Sequence, residues 1–121
     1  MNTLFTSTVV SIGAMVPDFL NENMLILFNQ DAPEELHDMA VLHTKSTHTE
    51  EIKPGDILLL GDTQLQVTSV GEKANETLQN IGHCTVKADG SETPQLPGNI
   101  HVAKVDFPPL EVGLKVAFIR P

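Results

Sequence analysis

At 121 residues, 40% of them hydrophobic, the chain has the size of one domain that can bury its own core. Seven Lys plus Arg against sixteen Asp plus Glu give a formal net charge of −9, which repels phosphodiester backbones and anionic headgroups and argues against nucleic acid or a membrane surface as partner. Cys84 is the one cysteine, which rules out an internal disulfide and a mainly thiolate zinc site and fits a reducing compartment.

In chain order, the opening segment has no basic stretch and alternates apolar with polar residues, so it is expected to be the first strand of the mature fold and not a signal peptide. Strands are expected at 4–12, 24–28, 39–43, 56–60, 64–70, 83–87, 99–105 and 114–119, short runs separated by Gly, Pro, Asn and Asp. Lys53-Pro54-Gly55-Asp56 places Pro and Gly as a type II turn requires, and Gly61-Asp62 and Asp89-Gly90 mark tight turns. Short helices are expected at 33–38, with Asp31 as cap, and at 72–81, where Ala74, Leu78 and Ile81 share a face. No run approaches the roughly 18 apolar residues that span a bilayer, so no membrane insertion is expected. No repeat or charge block divides the chain. The expected architecture is all-β: one antiparallel β-barrel-like domain over residues 1–121 with one or two short edge helices.

Phosphate-cradling glycine motifs and the G-x-S-x-G nucleophile elbow are absent, and with no Trp or Tyr there is little to stack bases or sugar rings. Five histidines are the concentrated chemical resource. His37 and His48 lie in polar stretches, whereas His43, His83 and His101 lie in or at the end of expected strands. Three readings follow. The three rings could converge on a metal ion in a small β-barrel enzyme, although none of the pairs has tight ligand spacing. Each could instead satisfy a hydrogen bond on a half-buried strand. The third reading makes one imidazole a nucleophile, with one nitrogen attacking while the other donates its proton to a fixed acceptor.

TVVSIGAMV at 8–16, AVLHT at 40–44, PGD at 54–56, GHCTVKADG at 82–90 and PGNIHV at 97–102 together resemble the glucitol/sorbitol-specific IIA component of the bacterial phosphotransferase system. The resemblance runs over nearly the whole chain. It implies a cytoplasmic carrier that takes a phosphoryl group from phospho-HPr and passes it to the IIB component, for uptake and phosphorylation of a sugar alcohol, with no cofactor. Carried over by motif, His43 is the phosphorylated residue. His83 and His101 match motif positions and are expected beside it as supports. Thr44 and Lys45 are expected to bind phosphate oxygens, the lysine as a point charge. A non-catalytic interaction module of the same fold is the remaining competitor. His43 is expected in a shallow cleft, reachable by two proteins in turn, with exposed apolar residues around it and acidic ones beyond. Cys84, alternating with His83, is expected to be a buried, inert thiol.

Overall fold

Alternation decides which side of each strand enters the core. In β1 (Asn2–Ile12), Phe5, Ser7 and Val9 turn inward while Thr6 and Thr8 stay exposed. The computed structural model describes residues 2–46 and 50–121. β1 is followed by α1 (Val16–Asn21), β2 (Met24–Asn29), a 3-10 turn (Glu34–Met39), β3 (Val41–His43), β4 (Ile57–Leu60), β5 (Thr63–Val70), α2 (Ala74–Ile81), β6 (Cys84–Lys87), β7 (Asn99–Val102) and β8 (Lys115–Arg120). The strands close into a barrel in the order β1-β3-β2-β6-β7-β5-β4-β8, so among the described residues no sheet edge is left to pair with another chain. Its interior is filled by Leu4, Phe5, Leu25, Leu27, Leu58, Leu65, Ile100, Phe118 and their neighbours.

All eight expected strands are present, and the barrel is antiparallel except at β2–β3 and β6–β7, which run parallel. Gly55 takes a φ of +96°, and the Asp56 N–H donates to the Lys53 carbonyl at 3.1 Å, so the expected turn forms. Arg120 then ties that turn to the last strand through both oxygens of Asp56, at 2.9 and 3.0 Å. Three expectations need correction. α1 was not anticipated, because Pro17 sits in its first turn and the segment is only six residues long. Segment 34–39 is 3-10, and Asp31 does not cap it, since its carboxylate pairs with Lys45.

The third correction is the repeat. Residues 9–43 and 67–102 carry the same backbone plan. Val9 pairs with His43 and, across a bulge, Ser11 with Leu42; Val67 pairs with Val102 and, across a bulge, Ser69 with His101. Gly13 N–H donates to Ala40 O at 3.0 Å, and Gly71 N–H to Asn99 O at 2.7 Å. At either glycine a Cβ would lie 2.2 Å from a backbone oxygen, Asp38 O or Pro97 O, so the close approach requires glycine. Each half then forms a short helix, exits through a left-handed residue (Asn23 at φ 60° or Gly82 at φ 66°) and enters a parallel strand pair. What repeats is backbone contact; side chains differ at most positions, which hides the repeat from the sequence.

Candidate functional site

β3 ends on the inner face of the barrel, and His43 is its last residue. Beside it lie Val9 on β1 and Asn29 on β2, and the Phe5 ring meets its imidazole edge-on, centroids 5.6 Å apart at 87°. Nδ1 is 2.8 Å from the Thr44 carbonyl oxygen and Nε2 is 2.9 Å from the Gly82 carbonyl oxygen. A neutral imidazole has one N–H, so it donates to one of these oxygens and faces the other with a lone pair. The expectation of a shallow cleft is not met: His43 is 0% exposed. Its cover is the turn after α2, where Gly82 adopts the left-handed conformation and its carbonyl closes over Nε2. A Cβ at Gly82 would meet Asn29 Oδ1 at 2.0 Å, so glycine fits there for space as well as for φ.

The expected supports are placed differently. His83 is next to Gly82 in sequence but turns outward, stacked on Phe28 with centroids 4.1 Å apart at 14°. Its Nδ1–H donates to the Leu27 carbonyl at 3.1 Å, and burial lowers its pKa below the ordinary 6.5 against the opposing pull of that carbonyl. A neutral His83 therefore has no second N–H for a phosphate oxygen. His101 is fully buried on the outer face of β7, separated from β3 by β2 and β6. Its Nδ1–H donates to Asp89 Oδ1 at 2.8 Å, and its Nε2 accepts the Gln95 N–H at 3.3 Å. Burial pushes the Asp89 carboxyl up, but hydrogen bonds from His101 and the Ser91 N–H hold it, on balance, below 3.8. The ring thus pins the 89–95 segment to the barrel.

In the loop after His43, Thr44 N–H donates to Thr8 O at 2.9 Å and Thr44 Oγ1 accepts the Thr8 N–H at 3.0 Å. Lys45 lies 2.7 Å from Asp31, both more than half exposed, and its hydrogen bond lowers the Asp31 pKa. In this arrangement its charge is engaged. His37 bonds the Ala32 carbonyl at 2.7 Å, and His48 lies outside the described residues. Cys84 is buried, its thiol pushed up to about 12 by burial, consistent with an inert core residue. Among the described residues no three His, Cys, Asp or Glu side chains group to hold a metal. The rings of the metal reading face opposite sides of the barrel wall.

Outside the Gly82 turn lies a cavity of about 590 Å³ lined by Phe28, Ala32, Pro33, Leu36, Lys45 and Ile81 among others. Ile81 is 47% exposed, Asp31 lines the same cavity, and the exposed Glu34 and Glu35 fall in sequence between its lining residues Pro33 and Leu36, so apolar residues with acidic neighbours do occur here. A larger cavity of about 680 Å³ is lined by Glu50, Glu51, Glu72 and Glu76 together with Lys53 and others, a net acidic lining that opposes phosphate. Gly82, Asn29 and Ser7 were not singled out from the sequence. Gly82 stood in a quoted motif, but nothing marked its carbonyl.

This barrel is similar to the crystal structure of a PTS System IIA component from Enterococcus faecalis V583, with a TM-score of 0.82 and 27% identity over 94% of this chain and 98% of that one. The fold is thus that of a phosphotransferase-system IIA component. Residues 4–117 match the family model of the PTS system glucitol/sorbitol-specific IIA component, and the chain belongs to that family. The PTS system glucitol/sorbitol-specific EIIA components of Shigella flexneri and Escherichia coli (strain K12) are each 34% identical to it over 103 residues, covering 85% of this chain and 84% of theirs. No helix among the described residues is long and apolar enough to cross a membrane.

Proposed function

We propose that residues 1–121 form one cytoplasmic IIA domain that takes a phosphoryl group from phospho-HPr on His43 and passes it to a cysteine of the IIB component, serving uptake of glucitol/sorbitol. The observation that carries this reading is a buried imidazole whose two nitrogens both face carbonyl oxygens. In the neutral form one nitrogen then faces an oxygen with its lone pair, a mismatch that calls for a reason, and a nucleophile held in reserve is one. With Nδ1–H on the adjacent Thr44 carbonyl, the Nε2 lone pair attacks phosphorus as the donor's P–N bond breaks and the donor imidazole leaves with the electron pair. In the second step the acceptor thiolate forms a P–S bond as the His43 P–N bond breaks. No proton is consumed in either transfer.

The closed ring cannot be reached in line, so transfer requires the Gly82 carbonyl to move off Nε2. The cavity beside that turn gives an incoming protein apolar contact, and the −9 charge favours a basic docking face. A second reading puts the phosphoryl group on His83. Its support is that this ring is only half buried, with lowered pKa and Nδ1–H anchored, which leaves Nε2 unprotonated.

One experiment separates the two: incubate the chain with phosphoenolpyruvate, enzyme I and HPr, and weigh it before and after acid. We expect an acid-labile, base-stable mass gain that His43→Ala abolishes and His83→Ala retains. The opposite pattern would transfer the role to His83. No gain in the wild type would favour the interaction module.

A further inference from the structure

We propose that Ser7 is the hydrogen-bond donor that holds a phosphoryl oxygen once His43 is phosphorylated; the proposal rests on the carrier reading above. The Ser7 side chain is inside the barrel, 5% exposed, and its Oγ has no hydrogen-bond partner among the described residues. An unpaired buried hydroxyl is a standing cost to the fold, tolerated where it serves a state other than the resting one. Its place is specific. Side chains of one strand face share every second residue, so Ser7 lies between Phe5, whose ring edge meets His43, and Val9, whose register partner is His43. It is therefore diagonal to His43 across the β1–β3 pair, on the same inner face of the barrel.

The repeat supplies an independent reason. In the second half the positions equivalent to Ser7 and His43 are Leu65 and Val102, both completely buried and apolar. The same backbone therefore closes well with two hydrocarbons. In the first half both are replaced by polar groups: the hydroxyl has no partner among the described residues, and the ring, when neutral, faces one acceptor more than it has N–H groups. The ring's existing polar contacts are carbonyl oxygens, which repel a phosphoryl group. A dianion arriving there needs a donor, and Ser7 Oγ–H is an unspent buried donor on the inner face of the adjacent strand. The hydroxyl makes no bond to phosphorus; it donates one hydrogen bond to an oxygen that bears charge in the phosphorylated state and is absent in the resting one.

The test compares wild type, Ser7→Ala, Ser7→Cys and Ser7→Thr in the full chain. Measured are the equilibrium between phospho-HPr and the phosphorylated chain, the half-life of the phosphohistidine and the melting temperature. Because the resting hydroxyl is unpaired, Ser7→Ala is expected to melt at or above the wild-type temperature while its transfer equilibrium falls about tenfold, the scale of one hydrogen bond to a charged group. Ser7→Thr restores the equilibrium to within about twofold. Ser7→Cys, close in volume and a weak donor, follows alanine and gives the same comparison where alanine disturbs packing. An unchanged equilibrium in Ser7→Ala and Ser7→Cys, or a loss of label proportional to a loss of melting temperature, would overturn the proposal. Label on His43 that ignores Ser7 defeats this inference alone, whereas no label on His43 in the wild type defeats the carrier reading and this inference with it.

Discussion

The two halves of the barrel solve one folding problem with one set of backbone contacts, and they diverge at the last residue of the parallel strand pair. In the second half that residue is Val102, packed in hydrocarbon; in the first it is His43, facing carbonyls at 2.8 and 2.9 Å. The second half has a buried imidazole too, His101, one position earlier and on the outer face. Its two nitrogens meet one acceptor and one donor, a complete set for a neutral ring. Burial alone therefore does not distinguish a structural histidine from a chemical one. The partners differ, however: a neutral His101 is fully matched by one acceptor and one donor, whereas a neutral His43 faces two acceptors.

Exchanging the two residues is the most direct way to break this comparison. His43→Val should remove phosphate label by at least about a thousandfold, as loss of a nucleophile does, while urea unfolding shows stability unchanged or raised. Val102→His should take no label and cost roughly 2–4 kcal/mol, because an imidazole enters a hydrocarbon site with no partner prepared for it. Label on Val102→His would mean that the backbone plan, and not the surroundings of His43, makes the site. A smaller effect is expected from His101→Leu, which strands the Gln95 N–H and releases Asp89. About 1–3 kcal/mol of stability should be lost, with labelling of the folded protein unchanged; a parallel loss of label would place His101 in the transfer site after all.

The smallest expected effect is in the pH profile. His83 has a lowered pKa in the folded state, so the unfolded chain takes up the proton first as pH falls. The stability due to neutral His83 is therefore complete above 6.5 and is lost as pH drops from there towards the folded value. His83→Gln should flatten that part of the profile. Asp89 and Asp56 are lowered below 3.8, so their contributions are present above that value and disappear only below it. A profile already flat in the wild type between 6.5 and 3.8 would show that the outward ring is solvated.

Much of the barrel was legible because strands write their burial into alternation. Phe5, Ser7 and Val9 face in, as do Ile100 and Val102, and the turns at Gly55 and Gly61 show their glycines at positive φ. The parallel pairs were not legible, since strand direction leaves no mark in a four-residue run such as Cys84–Lys87. AVLHT singles out His43 as the candidate, yet its burial is not visible there. That burial comes from the Gly82 carbonyl, 39 residues further along the chain, and a backbone oxygen has no letter of its own. His83 and His101 were grouped with His43 because all three sit at strand positions; pleat and barrel order send them to the other side of the wall. Ser7 was missed because a serine in an alternating strand is ordinary until its neighbours are known.

The ring of the site comes from one half of the barrel and the carbonyl over it from the other, joined through the antiparallel pairing of β2 with β6. An isolated copy of either half would own the imidazole or its cover, never both. Newly made chains, or chains that have begun to melt, would thus leave the imidazole without the carbonyl that covers it in the closed barrel. Under the proposed carrier reading, closure therefore shields the ring, and only a partner that displaces the Gly82 turn from a finished barrel would reach it.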